Sequence, residues 1–567
     1  MSTAVYGAST QARPVSPVQR LWRRELDHYP DEGKRYAMLA VVVLATVVLY
    51  YENYINGAVA TQILADLDMS FLYFVTILVV ANGVGAFASL SAGLSDRVGR
   101  ANLVAFGLVV AGLITLFGFP TADTKLQFGI WTTLLGVVEG VILVATPALV
   151  RDFSPQLGRA SAMGFWTLGP VVGSLVVSQV TSHTLKDLPR WQDQFVICGV
   201  VGLVVAVVAV LFLRELAPAI RDQLMVSLQD RALIEARARG VDPEAMLERP
   251  FARVLTAPIV ISALAISLFL LGYYTAVAFF AIFFQTVQGF TADQANGLLN
   301  YYWAANAISL IVAGALSDRL RVRKPFMLVG ALGAIVFSYL IYAQTPQTDT
   351  SYRAWAVILM GVGVYGGLAF ATWMASFTET VEEKSPALIA HGLAIWGWLL
   401  RCVVALSFLL LPHVITSVTP LVEHGSEVQA AAARQAAYLP TVQANQEFLN
   451  GVSARFPDGN VPADVAKQIV ETVGADVATQ LTTTQGKADF ALLGAEGAEV
   501  QKAQEESPRQ WQHWFLITML GQLLFLPAVF LLRGPWSVRK AREEADRHER
   551  LVQDELAGMG RPQAQPV

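Results

Sequence analysis

Three ionisable side chains, Glu52, Glu139 and Arg401, lie inside long apolar stretches of the sequence. Charge is costly in an apolar environment, so each of them is a candidate for function. A carboxyl that is neutral when it faces one side of a membrane and charged when it faces the other carries a proton across. Arginine keeps its charge, and its planar guanidinium suits a carboxylate or a phosphate.

Two hypotheses connect these residues. In the first, Arg401 binds an organic anion while Glu52 or Glu139 carries a coupling proton. In the second, Arg401 forms a buried ion pair with one glutamate and meets no substrate. His391 is a third proton-coupling candidate because histidine titrates near neutral pH, although a lone histidine more often has a structural role.

Aromatic and amide side chains accompany these charges and are candidates for contact with a solute. An aromatic wall with a few polar groups suits a small, partly apolar molecule. The alternative is that these side chains pack helices together or form belts at the membrane surface. The substrate-binding candidates, besides Arg401, are Asn53, Asn56, Trp166, Tyr273, Tyr274, Asn300, Tyr302, Trp303, Asn306, Trp373 and Trp398.

The elements that must position these residues are membrane-spanning helices. The chain has 567 residues, of which 54% are hydrophobic and only 15% are charged, whereas soluble proteins carry roughly a quarter charged residues. Apolar runs of about twenty residues, long enough to cross a bilayer as a helix, alternate with short charged segments. We predict twelve spans, at 36–59, 71–94, 102–120, 126–150, 161–182, 194–213, 257–286, 294–317, 325–344, 353–377, 387–416 and 511–534.

Lysine and arginine placement predicts the orientation. Basic residues concentrate in the leader 1–35, in alternate connections and in the linker 214–256, and such loops face the cytoplasm. Both termini, including the tail 535–567, are therefore expected in the cytoplasm, with 36–213 and 257–534 as two six-helix bundles. The segment 417–509 is then extracytoplasmic, and its helical spacing predicts a small helical insertion between the eleventh and twelfth spans, either a tolerated surface insertion or a functional lid.

A tetrapeptide recurs one half-protein apart. Leu94-Ser95-Asp96-Arg97 closes the second predicted span, and Leu316-Ser317-Asp318-Arg319 closes the eighth. The longer stretch Ala92-Gly93-Leu94-Ser95-Asp96-Arg97-Val98-Gly99-Arg100 resembles the loop 2–3 motif of the major facilitator superfamily. That resemblance implies an all-α fold of twelve helices in two pseudo-symmetric halves, with the substrate site between them.

The motif residues have an expected role in gating. Asp96 is placed to meet the N-terminus of a neighbouring helix, and Arg97 or Arg100 is placed to pair with Asp152, which would hold the cytoplasmic side shut. The alternative is that these charges only set topology. The second copy departs from the family pattern because Arg321 stands where a glycine is usual. The gating candidates are Gly93, Asp96, Arg97, Gly99, Arg100, Asp152, Gly314, Asp318 and Arg319.

Two further resemblances leave the subgroup open. The stretch 50–57, Tyr-Tyr-Glu-Asn-Tyr-Ile-Asn-Gly, is similar to the first helix of metabolite:proton symporters. The stretch 169–174, Gly-Pro-Val-Val-Gly-Ser, is similar to the fifth-helix motif of drug:proton antiporters. In the fourth helix, Gly136 occupies the position where many members have an arginine, so an arginine-assisted proton mechanism is not expected there.

These observations predict a secondary transporter that takes up a small organic metabolite, a carboxylate among the options, together with protons. A proton-coupled exporter and a non-transporting receptor or scaffold that uses the insertion remain as alternatives. We expect a monomer in a bacterial plasma membrane, in contact with lipid, protons and a small-molecule substrate. No nucleotide-binding loop, nucleophile–base pair, metal spacing or nucleic-acid-binding pattern stands out, so no cofactor and no enzymatic activity is expected.

Overall fold

The computed structural model of the chain describes residues 24–88, 98–153, 158–217, 220, 254–382, 389–456 and 460–559. Apart from one two-residue strand pair, the described chain is helical or in turns. We call the first seven helices the N-terminal half. They are α1 (Glu32–Ala58), α2 (Ala60–Asp66), α3 (Phe71–Ala88), α4 (Arg100–Leu113), α5 (Lys125–Phe153), α6 (Gly158–Thr184) and α7 (Trp191–Phe212).

The C-terminal half begins with six helices. They are α8 (Ala257–Phe269), α9 (Leu271–Thr286), α10 (Ala292–Leu320), α11 (Lys324–Gln344), α12 (Tyr352–Glu382) and α13 (Ile389–Val414). The helix α21 (Gly497–Leu531) completes this half, and α22 (Val538–Met559) follows it.

Seven short helices form the insertion between α13 and α21. They are α14 (Val418–Glu423), α15 (Gly425–Arg434), α16 (Leu439–Ala444), α17 (Gln446–Arg455), α18 (Ala463–Val473), α19 (Ala475–Thr482) and α20 (Thr484–Ala495). A small core of Leu421, Val428, Val500 and Ala503 packs α14 and α15 against the start of α21.

Within the described residues, eleven helical segments are long and apolar enough to cross a membrane. The helix α6, of 27 residues, coincides with the predicted span 161–182 but is not among the eleven, so the count of twelve stays a prediction. Two boundaries differ from expectation. The predicted span 257–286 is interrupted at Leu270, where ψ is −1°. The helix α21, which contains the last predicted span, begins at Gly497 rather than near 511. The end of the segment 417–509 is therefore the first part of α21.

The packing differs between the two ends of the helices. We call the end at which α1 begins the leader side and the opposite end, which carries α14–α20, the insertion side. One large core near the insertion side contains side chains of both halves, including Ile55, Phe74, Phe283 and Trp511. Toward the leader side each half has a core of its own, with Val104 in one and Phe377 in the other.

Hydrogen bonds between the halves also lie at the insertion side. The Asn296 side chain donates to the Ala58 carbonyl, 2.9 Å away, and Thr61 bonds Gln285 at 2.9 Å. The Phe71 amide donates to the Thr419 hydroxyl at 3.1 Å. The halves are therefore joined at the insertion side, and the space between them lies toward the leader side.

On the leader side, the leader and the linker meet. Strand β1 (Glu25–Leu26) pairs in parallel with β2 (Glu215–Leu216), and Glu25 is the partner of Glu215. The Glu215 carboxylate accepts a hydrogen bond from the Arg100 amide at 3.0 Å. This short strand pair and the hydrogen bond of Glu215 tie both segments to the start of α4.

Candidate functional site

A cavity of about 900 Å³ lies between the two halves. It is closed at the insertion side by the shared core and reaches toward the leader side as far as Pro147 on α5 and Leu393 on α13. Of the residues expected from the sequence to contact protons or substrate, the cavity brings together Asn53, Asn56, Glu139, Tyr273, Tyr274, Tyr302, Asn306 and Arg401.

Glu139 is positioned by close packing of α5 against α3. Gly136 and Gly140 lie on either side of it in the sequence, and both meet the backbone of α3 around Gly85. A Cβ atom at position 140 would lie 2.1 Å from the Gly85 carbonyl oxygen, so no larger residue fits without a shift of the helix. The half-buried Glu139 carboxylate accepts a hydrogen bond from the Asn53 side-chain amide on α1. Two helices thus fix the carboxylate in the cavity wall.

Arg401 supplies the opposite charge from the C-terminal half. Its side chain is exposed to the cavity from the middle of α13. It is near enough to Glu139 for their charges to interact, and it is similarly close to Tyr50 and Tyr274. A cation on one half therefore faces a carboxylate on the other.

Tyrosine rings surround these two charges. Tyr50 and Tyr54 pair on α1 with their centroids 5.2 Å apart, and Tyr273 and Tyr274 pair on α9, also at 5.2 Å. Tyr50 and Tyr54 were missed as candidates by the sequence reasoning, although their spacing of four residues puts them on one helix face.

Two residues of the cavity wall, Asn56 and Gln522, each have a side-chain amide oxygen that lacks a hydrogen bond within the described part of the structure. The Asn56 Oδ1 and Gln522 Oε1 atoms are buried and have no hydrogen-bond partner among the described residues. Both side chains also donate, Asn56 to the Asn53 carbonyl and Gln522 to the Ser338 hydroxyl, which fixes the direction of each amide. The sequence reasoning missed Gln522 as a residue of the cavity wall. A glutamine within the strongly apolar stretch of α21 was the signal that could have identified it.

Glu52 lies away from this cavity. It is fully buried within the N-terminal half, and its carboxyl is so close to Gly202 on α7 that a Cβ there would clash with it. Neither carboxyl oxygen has a hydrogen-bond partner among the described residues. His391, in the first turn of α13, is also not among the residues that line the cavity.

The tryptophan candidates whose side chains the structure describes do not line the cavity either. Trp303 and Trp373 are buried in the cores, and the Trp373 indole donates to the Ser262 hydroxyl at 2.8 Å. Trp398 is 71% exposed on the outer face of α13, whereas Trp396, two residues earlier, lines the cavity. Trp166 lies in α6, but its side chain is outside the described part of the structure.

Asn300 contributes to a different groove. Its side chain donates to the Ser182 hydroxyl at 3.0 Å and lines a groove between α6 and α10. The hydrogen bond between Asn300 and Ser182 is another contact between the halves, and Asn300 is not part of the central cavity.

The sequence pattern that defines the Major Facilitator Superfamily matches residues 42–410, which is more than half of the chain. The chain belongs to the Major Facilitator Superfamily. The resemblance inferred from the repeated motif is thereby confirmed, and the chain is a transporter-family protein rather than an enzyme.

Relatives and a solved structure agree with this assignment. An MFS-type efflux pump of Mycolicibacterium smegmatis is 30% identical over 53% of this chain and 67% of its own length. A probable chloroplastic anion transporter of rice is 23% identical over 53% of this chain but only 59% of that protein, and the cis,cis-muconate transport protein of Acinetobacter baylyi is 21% identical over 61% and 78%. A bacterial homologue of the lysosomal transporter Spinster, in an inward-facing and unoccupied conformation, superposes with a TM-score of 0.54 at 15% identity, covering 89% of this chain and 98% of that one.

The last residue of the superfamily loop motif, Arg100, forms a buried ion pair with α5 in the N-terminal half. The Arg100 guanidinium lies 2.9 Å from the Asp152 carboxylate, and both side chains are largely shielded from solvent. Gly99, directly before it, has a φ of +94°, a conformation that favours glycine. The motif residues Gly93, Asp96 and Arg97 lie outside the described residues.

The C-terminal half contains a corresponding pair. Arg323 lies 2.5 Å from Asp318 and 2.9 Å from Glu379 on α12. Burial acts to lower the pKa of Arg323 and the two carboxylates act to raise it, with a net upward shift that keeps the guanidinium charged. Arg321, at the position where the family has glycine, has a φ of +55°, so a positive φ is present there without the glycine. Gly314 and Arg319 lie in the last turns of α10.

Proposed function

We propose that the protein is a secondary active transporter that moves a small organic anion together with protons by alternating access. The observation that supports this most is the central cavity, in which Arg401 of one half faces the Asn53-bonded Glu139 of the other. Similarity to an anion transporter and to a muconate transport protein supports the class of substrate.

Arg401 is the proposed anion site. Its side chain is exposed in the cavity, and the planar guanidinium group suits a carboxylate, which it can bind through two hydrogen bonds. Because the cavity wall is mostly apolar, such a contact is stronger there than at a fully hydrated protein surface.

Glu139 is the proposed proton carrier. A bound anion at Arg401 reduces the positive field that favours the charged form of Glu139, so binding of the anion and binding of a proton support each other. With Glu139 neutral and the anion paired with Arg401, the loaded cavity would carry little net charge while it changes the side of the membrane to which it opens. His391 and Glu52 are assigned no contact with substrate, because neither lines the cavity.

The Arg100–Asp152 pair and the Arg323–Glu379 pair are the proposed elements of the gate. Arg100, at the start of α4, pairs with Asp152 in α5, and Arg323, directly before α11, pairs with Glu379 in α12. We propose that these pairs keep each half rigid while the halves rock about the cavity. In this proposal the leader side is cytoplasmic, and the present structure is open toward it.

Export is the second candidate, favoured by the 30% identity to an efflux pump. The same cavity and the same residues serve either direction. Deleting the gene separates them, since loss of growth on one carbon source indicates import and hypersensitivity to toxic compounds indicates export.

Flux measurement in proteoliposomes tests the proposal. An imposed pH gradient, acidic on the side from which substrate enters, should drive accumulation of at least one member of a panel of radiolabelled organic acids, and a protonophore should abolish it. Absence of gradient-dependent flux across the whole panel would overturn the proposal.

A further inference from the structure

We infer that the substrate is an aromatic carboxylate. This inference rests on the proposed function and narrows it, because an anion site alone would accept any small organic acid. The observations that narrow it are the rings in the cavity wall and their position relative to Arg401.

Rings from both halves form the wall. Tyr50 and Tyr54 approach from α1, and Tyr273 and Tyr274 approach from α9. Tyr50 is close enough to interact electrostatically with Tyr274, and Tyr54 with both Tyr273 and Tyr274. The tyrosines thus contribute one pair from each half to the wall of the same cavity, and we call these two pairs the tyrosine layers. Further rings around them belong to Phe269, Phe280, Tyr302, Phe370, Trp396, Phe408 and Phe515.

The cation of Arg401 lines the same cavity as these layers. Its charge acts on Tyr50 in one layer and on Tyr274 in the other. A carboxylate bound to its guanidinium would therefore place an attached ring next to tyrosines of both layers. Aromatic rings prefer edge-to-face or offset contacts with one another, and tyrosines that approach from two sides offer such contacts to a planar ring.

The charge pattern selects against an aromatic cation. A ring of tyrosines beside a carboxylate also suits an ammonium group. Here, however, Glu139 already accepts a hydrogen bond from Asn53 and faces Arg401. A bound ammonium would have to displace these contacts and would lie close to a permanent cation.

Binding to the purified full-length protein in nanodiscs tests the inference by calorimetry. Benzoate and cyclohexanecarboxylate share charge, ring size and approximate volume, and benzylamine has the ring with the opposite charge. Benzoate should bind roughly tenfold more tightly than cyclohexanecarboxylate, a factor expected from one or two ring contacts. Benzylamine should not compete with benzoate.

Equal affinity for benzoate and cyclohexanecarboxylate would overturn the inference while leaving the proposed anion transport in place. If benzylamine binds and the carboxylates do not, both the inference and the proposed function fail. Tyr274→Leu should reduce the preference for benzoate to about one, and Tyr274→Phe, which keeps the ring, should restore it. A preference unchanged in Tyr274→Leu would also contradict the role of the tyrosine layers.

Discussion

The side-chain amide of Asn53 on α1 donates a hydrogen bond to the Glu139 carboxylate on α5. The bond fixes an ionisable group at a cavity wall that also contains Arg401 from the other half of the molecule. Because Glu139 is the carboxyl of the two candidates that meets the cavity, it is where we expect proton coupling to reside.

Substitution of Glu139 by glutamine should separate transport from coupling. Glu139→Gln retains the bond geometry but cannot lose a proton, so accumulation driven by a pH gradient should be abolished. Exchange of internal for external substrate without a gradient should continue at a rate near that of the parent. Glu52→Gln serves as the comparison, because the fully buried Glu52 does not line the cavity, and it should retain gradient-driven uptake. If Glu52→Gln abolishes gradient-driven uptake and Glu139→Gln retains it, the coupling carboxyl is Glu52.

Removal of the Arg401 guanidinium should weaken substrate binding. Loss of a charge-assisted, two-bond contact is expected to cost about 2–3 kcal/mol, or roughly 30-fold to 150-fold in affinity. Arg401→Ala should show this loss in a direct binding measurement, and Arg401→Lys should recover part of it. Trp398→Ala, on the exposed face of the same helix, should bind like the parent. If Arg401→Ala binds like the parent too, the anion site is elsewhere.

Breaking the Arg100–Asp152 pair should destabilise the N-terminal half. Asp152→Asn leaves the poorly exposed Arg100 cation without its ion-pair partner in Asp152, and breaking a buried pair costs up to about 3–5 kcal/mol. The melting temperature and the transport rate should both fall. The double exchange Arg100→Asp with Asp152→Arg should recover part of both. Lys34→Gln, which removes the mostly exposed Lys34–Asp31 pair, should change neither quantity. If Asp152→Asn changes neither the melting temperature nor the transport rate, the ion pair does not stabilise the N-terminal half.

The charged form of Asp489 should stabilise the insertion. Hydrogen bonds from Arg434 and Gln435 hold the pKa of this carboxyl well below its ordinary value. Because the folded-state pKa is lowered, the carboxylate stabilises the insertion above its ordinary pKa, near 3.8, and that stabilisation is lost as the pH falls through the lower folded-state value. Asp489→Asn should therefore increase proteolysis within α14–α20 at neutral pH, with the exposed Asp476→Asn as the matched control. Equal proteolysis of both variants would contradict the role of Asp489.

Much of this architecture could be predicted from the sequence because the bilayer imposes a simple rule on helix length and polarity. Charges as rare as Glu139 and Arg401 stand out against such a background. The face on which each residue lies could not be predicted in the same way. Trp396 and Trp398 have the same surroundings in sequence, yet one lines the cavity and the other is exposed, because apolar helices without a polar stripe give no indication of their rotation.

Two features of the helices had no strong local signal. The interruption at Leu270 has no proline and follows a mostly apolar run, so the sequence reads as one continuous span. The polar start of α21 reads as part of the insertion, because charged side chains such as Glu505 and Glu506 are not expected in a spanning helix. The helix simply extends beyond the apolar part of the chain.

Proton movement that accompanies substrate entry tests the central claim most directly. Proteoliposomes that contain a pH-sensitive dye and no imposed gradient should acidify inside when an external carboxylate substrate is added. The parent protein should give this signal and Glu139→Gln should not, although both take up labelled substrate by exchange. Acidification of equal size in Glu139→Gln, or uptake by the parent without any proton signal, would contradict coupling at the carboxylate that Asn53 holds.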